Sequence, residues 1–208
     1  MNSFMREPRN KTINQNLLYF WNYICRILYI YIREIKLIPF QNSFNLYLRD
    51  NNAIIPVLCF LKKHTNCQFV VLSDLFGVDF MKKQKKRFQI VYCLLSIRYN
   101  TRVRVNILID DYSKISSATI LYKSAGWLER ETWDMFGIYF KNNNDLRRIL
   151  TDYGFDGFPL RKDFPLSGYI ELRYDDSLKR VVYEPIEITQ EFRFFDFKSP
   201  WEQIENIY

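Results

Sequence analysis

The sequence predicts an α+β fold with a mainly antiparallel four-stranded sheet covered by helices, followed by a long extended C-terminal tail. Residues 101–109, TRVRVNILI, alternate apolar and polar side chains as a strand with one buried face does. Residues 69–80 and 87–97 are apolar on both faces, which is typical of strands inside a covered sheet. After Phe140 the periodicity ends although aromatic residues remain frequent, so an extended segment is expected there.

Local signals predict the elements that precede these strands. Residues 15–36 predict a helix rich in aromatic residues, which stops before Pro39. Residues 44–50, FNLYLRD, alternate like another strand, and Asn52 is placed to cap a helix that runs to about Lys63. Helices and strands therefore alternate, as they do when helices cover a sheet.

The strand at residues 101–109 also predicts buried and exposed positions. Only Tyr99 and Asn100 separate it from the preceding strand, which is short enough for a hairpin. A further helical stretch begins at Ser117 and runs into residues 127–140, WLERETWDMFGIYF. The alternation directs four side chains inward and two outward, namely Val103, Val105, Ile107 and Ile109 against Arg102 and Arg104.

Charge and periodicity divide the chain into three predicted parts. Residues 1–40 form an N-terminal extension with the aromatic helix, residues 41–138 an α+β domain, and residues 139–208 an extended C-terminal segment. Residues 1–138 carry a net charge of +10, whereas residues 139–208 carry −3. The two regions therefore face different surroundings.

The C-terminal segment holds four of the seven prolines and 15 aromatic residues, yet it shows no regular period. A long structureless stretch is uncommon inside a compact fold. We therefore expect residues 139–208 to wrap a partner and to become ordered there. The alternative is that the segment folds back on the sheet of its own domain.

Composition points to the origin of the chain and to its relation to membranes. Alanine occurs only at Ala53, Ala118 and Ala125, while residues with AT-rich codons are abundant. This composition indicates an organelle-encoded protein, and an AT-rich nuclear or bacterial genome is the alternative.

Residues 17–32 are the most apolar stretch, but Asn22 and Arg26 interrupt it. We expect a buried or partner-docked helix there rather than a membrane span.

Ligand-type residues are scarce. The four cysteines, Cys25, Cys59, Cys67 and Cys93, form no CxxC pair, and we interpret them as small core residues. His64 is the only histidine and is expected to be a helix-end or surface residue. No glycine-rich phosphate loop occurs. The sequence therefore predicts no metal, cofactor or nucleotide site in this chain.

A basic run, KKQKKR at residues 82–87, lies between two predicted strands. Such a run can bind phosphate, but a solvated hairpin loop is the more common explanation. The same loop could also meet an acidic neighbour.

The stretch at residues 127–140 gathers three carboxylates around an arginine. Helical spacing places Arg130 and Asp134 at i and i+4, where they can form an ion pair. Glu131 and Asp134 at i and i+3 could instead share a proton, as acid-base enzymes require. The aromatic neighbours favour structural pairing, and the same holds for the third acid, Glu129.

Two arginine-containing stretches follow. Arg147 and Arg148 lie in DLRRIL, and LRKDFPL contains Arg161, Lys162 and Asp163 before Pro165. Guanidinium groups suit the carboxylates of a partner or a phosphate. Because the stretches are predicted to be extended, they favour an interface rather than a pocket.

Long blocks of this sequence resemble one known family in the family's own order. The blocks are WLERETWDMFGIYF, NDLRRILTDYGFDGFPLRKDFPL, GYIELRYDD and EPIEITQEFRFF followed by SPWE, with DLFGVDF and VYCLLSIRYNTRVRV matching the family's sheet. From about Gln68 to Glu202 the chain resembles the thirty-kilodalton (NuoC-type) subunit of respiratory complex I, in a mitochondrially encoded form. The family motifs cover these positions: Glu129, Arg130, Glu131, Asp134, Gly137, Arg147, Arg148, Gly157, Pro159, Arg161, Lys162, Asp163 and Pro165.

The resemblance implies a structural subunit of the peripheral arm, on the matrix side of the mitochondrial inner membrane. Such a subunit would pack chiefly on the forty-nine-kilodalton subunit and on neighbouring subunits of the quinone-reducing module, and it would contact the membrane only through the complex. FMN, iron-sulfur clusters and ubiquinone would lie in partner subunits, and no catalytic site is expected here. The complex as a whole transfers electrons from NADH to ubiquinone and pumps protons.

The chain departs from the family pattern at Asn143 and Asn144, where relatives usually have His-Pro before DLRRIL. A catalytic or proton-relay role for that position is therefore hard to sustain in this chain. Two other functions remain as alternatives. One is an organellar RNA-binding or ribosome-associated protein that uses Arg102, Arg104 and the basic run, and the other is a hydrolase that uses the acids of residues 127–140.

Overall fold

The computed structural model describes residues 15–38, 43–81 and 86–195. Residues 82–85 of the basic run, the segment 1–14 and the SPWE block therefore lie outside the described residues. The described elements are α1 (Gln15–Ile27), β1 (Ile32–Ile38), β2 (Ser43–Leu48), α2 (Ile54–Lys63), β3 (Val71–Asp79), β4 (Phe88–Ser96), β5 (Thr101–Ile109), β6 (Ile115–Ser116), α3 (Ala125–Phe136), β7 (Phe140–Lys141), β8 (Ile170–Asp175) and β9 (Arg180–Pro185).

The main sheet is mostly antiparallel, as predicted, but it has five strands rather than four. The strand order is β1-β2-β5-β4-β3, and only the β2–β5 pair is parallel within this sheet. The additional strand is β1, which lies in the stretch predicted as helix 15–36. That prediction was wrong beyond Ile27, because the chain turns there and IREIKLI pairs with β2, with Ile32 buried and Arg33 exposed.

The other predicted strands are present, with some changes at their ends and positions. β3 lies at the edge of the sheet and not inside it, since β4 is its partner on one side only. Asn52 does not cap α2, because a 3₁₀ turn at Asn51–Ala53 precedes that helix and no side chain caps it. The last helix begins at Ala125 and not at Ser117.

The core lies between the inward face of the sheet and the helices. Val103, Val105, Ile107 and Ile109 are all buried, which confirms their predicted orientation. α1 contributes Trp21, whose ring centroid lies 5.0 Å from that of Phe44 on β2. Of the four cysteines, Cys67 is buried, and Cys25, Cys59 and Cys93 are partly buried.

Residues from Pro165 onward form a second compact unit. Its described part contains the antiparallel hairpin β8–β9, in which Leu172 pairs with Tyr183 and Tyr174 with Val181. The stretch predicted as an extended tail therefore contains regular structure. Within the described ranges, no helix is both long enough and apolar enough to cross a membrane.

The packing of α1 predicts unequal effects of two isoleucine substitutions in the same helix. Ile24 is 0% exposed in the core, whereas Ile27 is 42% exposed. Ile24→Ala should lower the free energy of unfolding by about 2–5 kcal/mol, because it leaves a cavity. Ile27→Ala, the matched control, should have an effect of at most about 1 kcal/mol. Urea unfolding of the two variants measures both values, and equal losses would contradict the packing of α1.

Candidate functional site

Asp134 is fully buried on α3 and binds a loop that has no regular structure of its own. Its Oδ2 atom accepts hydrogen bonds from the backbone N–H groups of Ile149, Leu150 and Thr151 at 3.1, 2.7 and 3.0 Å. Its Oδ1 atom accepts one from the Thr151 hydroxyl at 2.6 Å and lies 3.6 Å from the Arg148 guanidinium. Asp134 thus attaches residues 148–151 to the helix.

The predicted ion pair between Arg130 and Asp134 is wrong. Arg130 stacks on the Trp127 ring at 4.9 Å and donates from Nε to the carbonyl of Arg147 at 3.1 Å. Glu131 is exposed, whereas Asp134 is buried. Burial by itself raises the pKa of Asp134, but the hydrogen bonds from Thr151 and its neighbours outweigh this and lower the pKa below its usual range. Asp134 therefore stays ionised at neutral pH.

Glu129, also fully buried, connects two other segments. Its Oε1 accepts from the backbone N–H of Ala118, and its Oε2 accepts from the Ser117 hydroxyl and the Asn143 side-chain amide, each at 2.7 Å. Burial raises the pKa of Glu129, although these hydrogen bonds oppose the shift. Asn143, the departure from the family pattern, thus acts as a neutral donor to this carboxylate.

Asp79, at the buried end of β3, is the centre of a second group of contacts. Arg87 donates to both of its oxygens at 3.0 Å, and the backbone N–H groups of Met81 and Lys162 each donate at 3.0 Å. Arg87 also lies 3.0 Å from Asp163. Burial alone raises the pKa of Asp79, but the bonds from Arg87, Lys162 and Met81 prevail and bring it to about 2.

These contacts bear on the prediction of a solvated basic loop. Arg87, the last residue of the run, is directed into the domain and also contacts Asp111 at 3.2 Å. The prediction is therefore wrong for Arg87, because the buried carboxylate of Asp79 requires a cation beside it. The carboxylates that Arg87 contacts, those of Asp79, Asp111 and Asp163, belong to its own chain.

Arg161 and Gly137 fix the chain where α3 ends. Arg161 donates from Nε to the Phe136 carbonyl at 2.7 Å, and its guanidinium stacks over the Phe158 ring at 4.6 Å. Gly137 ends the helix with φ +73°, and its N–H donates to the Trp133 carbonyl at 2.8 Å. A Cβ at Gly137 would lie 2.6 Å from the Phe158 ring, so only glycine fits.

Most of the remaining family-motif residues lie in the same loop, residues 142–164, which we call the return segment. Arg148 donates to the Gly157 carbonyl at 3.0 Å, and Gly157 has φ +96° with Phe164 packed against it. Pro159 is partly buried. Arg148 and Arg161 are therefore used inside the domain, whereas Arg147 is exposed and bound to Asp145.

Two other motif residues serve through their backbone. Lys162 is exposed and contacts Asp79 only through its N–H group. Pro165 belongs to the second unit, where its carbonyl accepts from the Gly168 N–H at 3.1 Å.

Several residues of these contacts were not predicted, chiefly Asp79, Arg87, Asp111, Ser117 and Thr151. One sequence signal was available: Asp79 ends an apolar strand and Arg87 precedes the next one, so a hairpin brings them together. Each buried carboxylate is bound by several donors, and this arrangement fixes backbone rather than leaving an acid free for substrate.

Ligand-type side chains are dispersed. In the described ranges, no three His, Cys, Asp or Glu side chains converge in a way that could hold a metal ion. His64 follows the end of α2 and stacks on Phe60 with ring centroids 4.7 Å apart, which confirms its predicted helix-end position.

The fold and these contacts define a mixed α/β domain whose return segment is fixed by buried carboxylates. A family model described as the 30 kDa subunit of the respiratory-chain NADH dehydrogenase matches residues 48–170. The chain belongs to this family, and it is thus a subunit of respiratory complex I, with other subunits of that complex as its partners.

Two curated relatives are closely similar over most of their length. Subunit 9 of the NADH-ubiquinone oxidoreductase of Reclinomonas americana is 58% identical over 170 residues, which are 82% of each chain. The NADH dehydrogenase [ubiquinone] iron-sulfur protein 3 of Oryza sativa subsp. japonica is 61% identical over 159 residues, which are 76% of this chain and 83% of the relative. These relatives give the RNA-binding hypothesis no support.

A solved structure shares the fold. It is a chain of the membrane-bound sulfane sulfur reductase, an archaeal respiratory membrane complex, with a TM-score of 0.58 at 24% identity, and the match covers 71% of this chain and 86% of that one.

Two glycines with the same positive φ test the contacts at the end of α3. Gly137 and Gly154 both have φ +73°, but a Cβ at Gly154 would meet nothing within 4 Å. Gly154→Ala should lower the free energy of unfolding by about 1–2 kcal/mol, from the backbone strain alone. Gly137→Ala should cost about 1–3 kcal/mol more, because the new methyl group overlaps Phe158 and Arg161. Similar unfolding midpoints in urea would contradict this difference.

The role of Asp134 predicts a local effect on the return segment. Asp134→Asn should destabilise the domain by about 1–3 kcal/mol, since the amide loses the charge that attracts three N–H groups. Hydrogen exchange should become faster at Ile149, Leu150 and Thr151. The control, Glu131→Gln on the exposed side of the same helix, should change stability by at most about 0.5 kcal/mol and leave these amides unchanged. Unaltered exchange in Asp134→Asn would show that the carboxylate does not hold the loop.

Proposed function

We propose that this chain is a structural subunit of the peripheral arm of the proton-pumping NADH:ubiquinone oxidoreductase, and that it packs on the forty-nine-kilodalton subunit to hold the quinone-reducing module together. On this proposal it acts on the matrix side of the mitochondrial inner membrane and contacts the membrane only through the complex. FMN, the iron-sulfur clusters and ubiquinone belong to partner subunits. The names of the relatives support the assignment of the chain to this complex. The hairpin β8–β9 supports the proposal that the chain packs on a partner subunit.

The observation that carries the proposal is the apolar face of this hairpin. Alternate residues of both strands lie on one face, because the register pairs them directly across the ladder. Their side chains are between 55% and 61% exposed, and they are Ile170, Leu172, Tyr174, Val181 and Tyr183. A contiguous exposed patch of this kind marks a protein-protein contact more often than a free surface.

The opposite face of the hairpin is mostly charged. Arg173 contacts Glu184 through two hydrogen bonds of 2.9 and 2.6 Å, and Glu171 and Asp175 lie on the same face. The hairpin therefore has one face suited to solvent and one suited to a partner. Because a two-stranded hairpin is only marginally stable alone, burial of its apolar face would stabilise both the hairpin and the assembly.

The contacts of the return segment sharpen the proposed division of the chain. Residues 142–164 are bound to Asp134, Asp79 and Phe136, so they belong with the domain. We therefore propose that partner wrapping involves chiefly the residues beyond Phe164. In the free chain, protease cleavage should begin there and not at residue 140.

Substitutions on the two faces of the hairpin test this function. Leu172→Ser combined with Tyr183→Ser should lower incorporation into the complex by about tenfold or more, because each buried apolar side chain is worth about 1.5–3 kcal/mol. The control, Arg173→Gln combined with Glu184→Gln, changes only the charged face and should retain normal incorporation. Native gels with an NADH-dehydrogenase activity stain, followed by mass spectrometry, measure the amount incorporated.

Limited proteolysis supplies a second measurement. Cleavage sites between residues 165 and 195 should be open in the free chain and protected in the complex. Normal incorporation of the Leu172→Ser and Tyr183→Ser variant, or equal protection of these sites in the free chain, would contradict the proposed contact.

A further inference from the structure

A cationic cavity of about 590 Å³ opens on the first unit, and its lining extends from β1 and β2 to Gln89 on β4 and Leu108 on β5. Four basic side chains line it: Arg33 and Lys36 on β1, Arg49 directly after β2, and Lys86 two residues before β4. None of the contacts described for the return segment or the hairpin involves these four residues. The contacts described above therefore leave the charge of these four residues unused.

The charge in the cavity is only partly compensated. Among the described residues of the lining, Glu34 is the single carboxylate, and it lies 3.4 Å from Lys36. Arg33 and Lys86 make no ion pair within the described part of the chain. Arg49 donates from Nε to the Ile32 carbonyl at 2.9 Å, which holds its guanidinium at the rim. Four cations against one anion leave three positive charges for a ligand to neutralise.

The cavity also has an apolar lining. Tyr47, Phe80 and Leu108 contribute to it, and the ammonium group of Lys36 lies 5.4 Å from the centre of the Tyr47 ring. A ligand that fits must therefore carry negative charge and present some apolar surface as well. An acidic peptide segment has this combination, whereas inorganic phosphate has only the charge.

The arrangement of the cations favours an extended ligand. Arg33 and Lys36 are separated by roughly 10 Å along β1, given the rise of a strand. The donors that bind a single phosphate group lie closer together than this. The described residues of the lining also include no helix N-terminus and no glycine-rich loop, which are common phosphate-binding elements. The lining crosses several strands, from Lys36 on β1 to Leu108 on β5 and Gln89 on β4, so an extended segment can lie along it.

We propose that this cationic cavity binds an acidic, extended segment of another subunit of the complex. The inference rests on the proposed function for the presence of neighbouring subunits, but it concerns a different surface. Carboxylates of the segment would pair with Lys36, Lys86, Arg33 and Arg49, while an apolar side chain would contact Tyr47. These pairs would fix the register of the contact more than they raise its affinity.

Lysine chemistry on the intact complex tests the proposal. Acetylation of Lys36 and Lys86 should be about tenfold slower or more in the purified complex than in the free full-length chain, because paired ammonium groups are shielded. A carbodiimide, which joins an ammonium group directly to a carboxylate, should link Lys36 or Lys86 to an Asp or Glu of another subunit. Lys123, an exposed lysine before α3, serves as the reference for general reactivity.

Two double variants of Lys36 and Lys86 test whether the contact depends on the positive charge of the cavity. Lys36→Glu combined with Lys86→Glu should lower incorporation of the chain into the complex by about tenfold, because like charges then face each other. Lys36→Arg combined with Lys86→Arg keeps the charge and should incorporate normally. The circular dichroism of the free variants checks that both remain folded.

The outcomes distinguish this proposal from the proposed function. Equal acetylation of Lys36 and Lys86 in the complex and in the free chain would overturn it, and so would protection that disappears on removal of phospholipid, since that result indicates a lipid headgroup. Reduced incorporation of the Leu172→Ser and Tyr183→Ser variant together with equal acetylation at the cavity removes only this inference. Normal incorporation of that variant contradicts the proposed function instead.

Discussion

The pair formed by Asp79 and Arg87 is the interaction on which the rest of the domain depends. Removing a carboxylate from water costs several kcal/mol unless a cation and further donors replace the lost hydration. Arg87 supplies the cation, and the N–H groups of Met81 and Lys162 supply the donors. Because Lys162 is distant in sequence, satisfying one buried charge at the end of β3 also determines the position of the return segment.

The return segment shows how a loop can be held without helix or strand. Its backbone N–H groups cannot use a ladder, so Asp134 accepts three of them and Asp79 accepts another. Its carbonyl groups are bound in turn by arginines, as Arg148 binds that of Gly157. In the sequence, these carboxylates and arginines resemble an active site. In the structure, they form hydrogen bonds with backbone groups instead. On the proposed function, the return segment fixed in this way gives neighbouring subunits a constant surface.

Strands with one buried face could be predicted because their period of two appears directly in the sequence, as for Val103, Val105 and Ile107. β1 was missed because its apolar residues Ile32, Ile35 and Ile38 recur every three positions, a spacing that also fits a continuation of the preceding helix. The alternation in β8 was equally visible, but the sequence indicated no element that would cover its apolar face, so a hairpin was not expected there. Asp134 was assigned the wrong partner because local spacing cannot reveal donors 15 to 17 residues away.

Two surfaces of the chain differ in the kind of binding that they can supply. The apolar face of the hairpin offers area to bury, and such burial is non-directional, so it contributes affinity without selecting one register. The cationic cavity offers few apolar groups but a defined row of charges, which selects partners and orientation. A subunit that must join several neighbours in one arrangement needs both properties. The uneven charge of the chain, +10 before residue 139 and −3 after it, is consistent with this separation of roles.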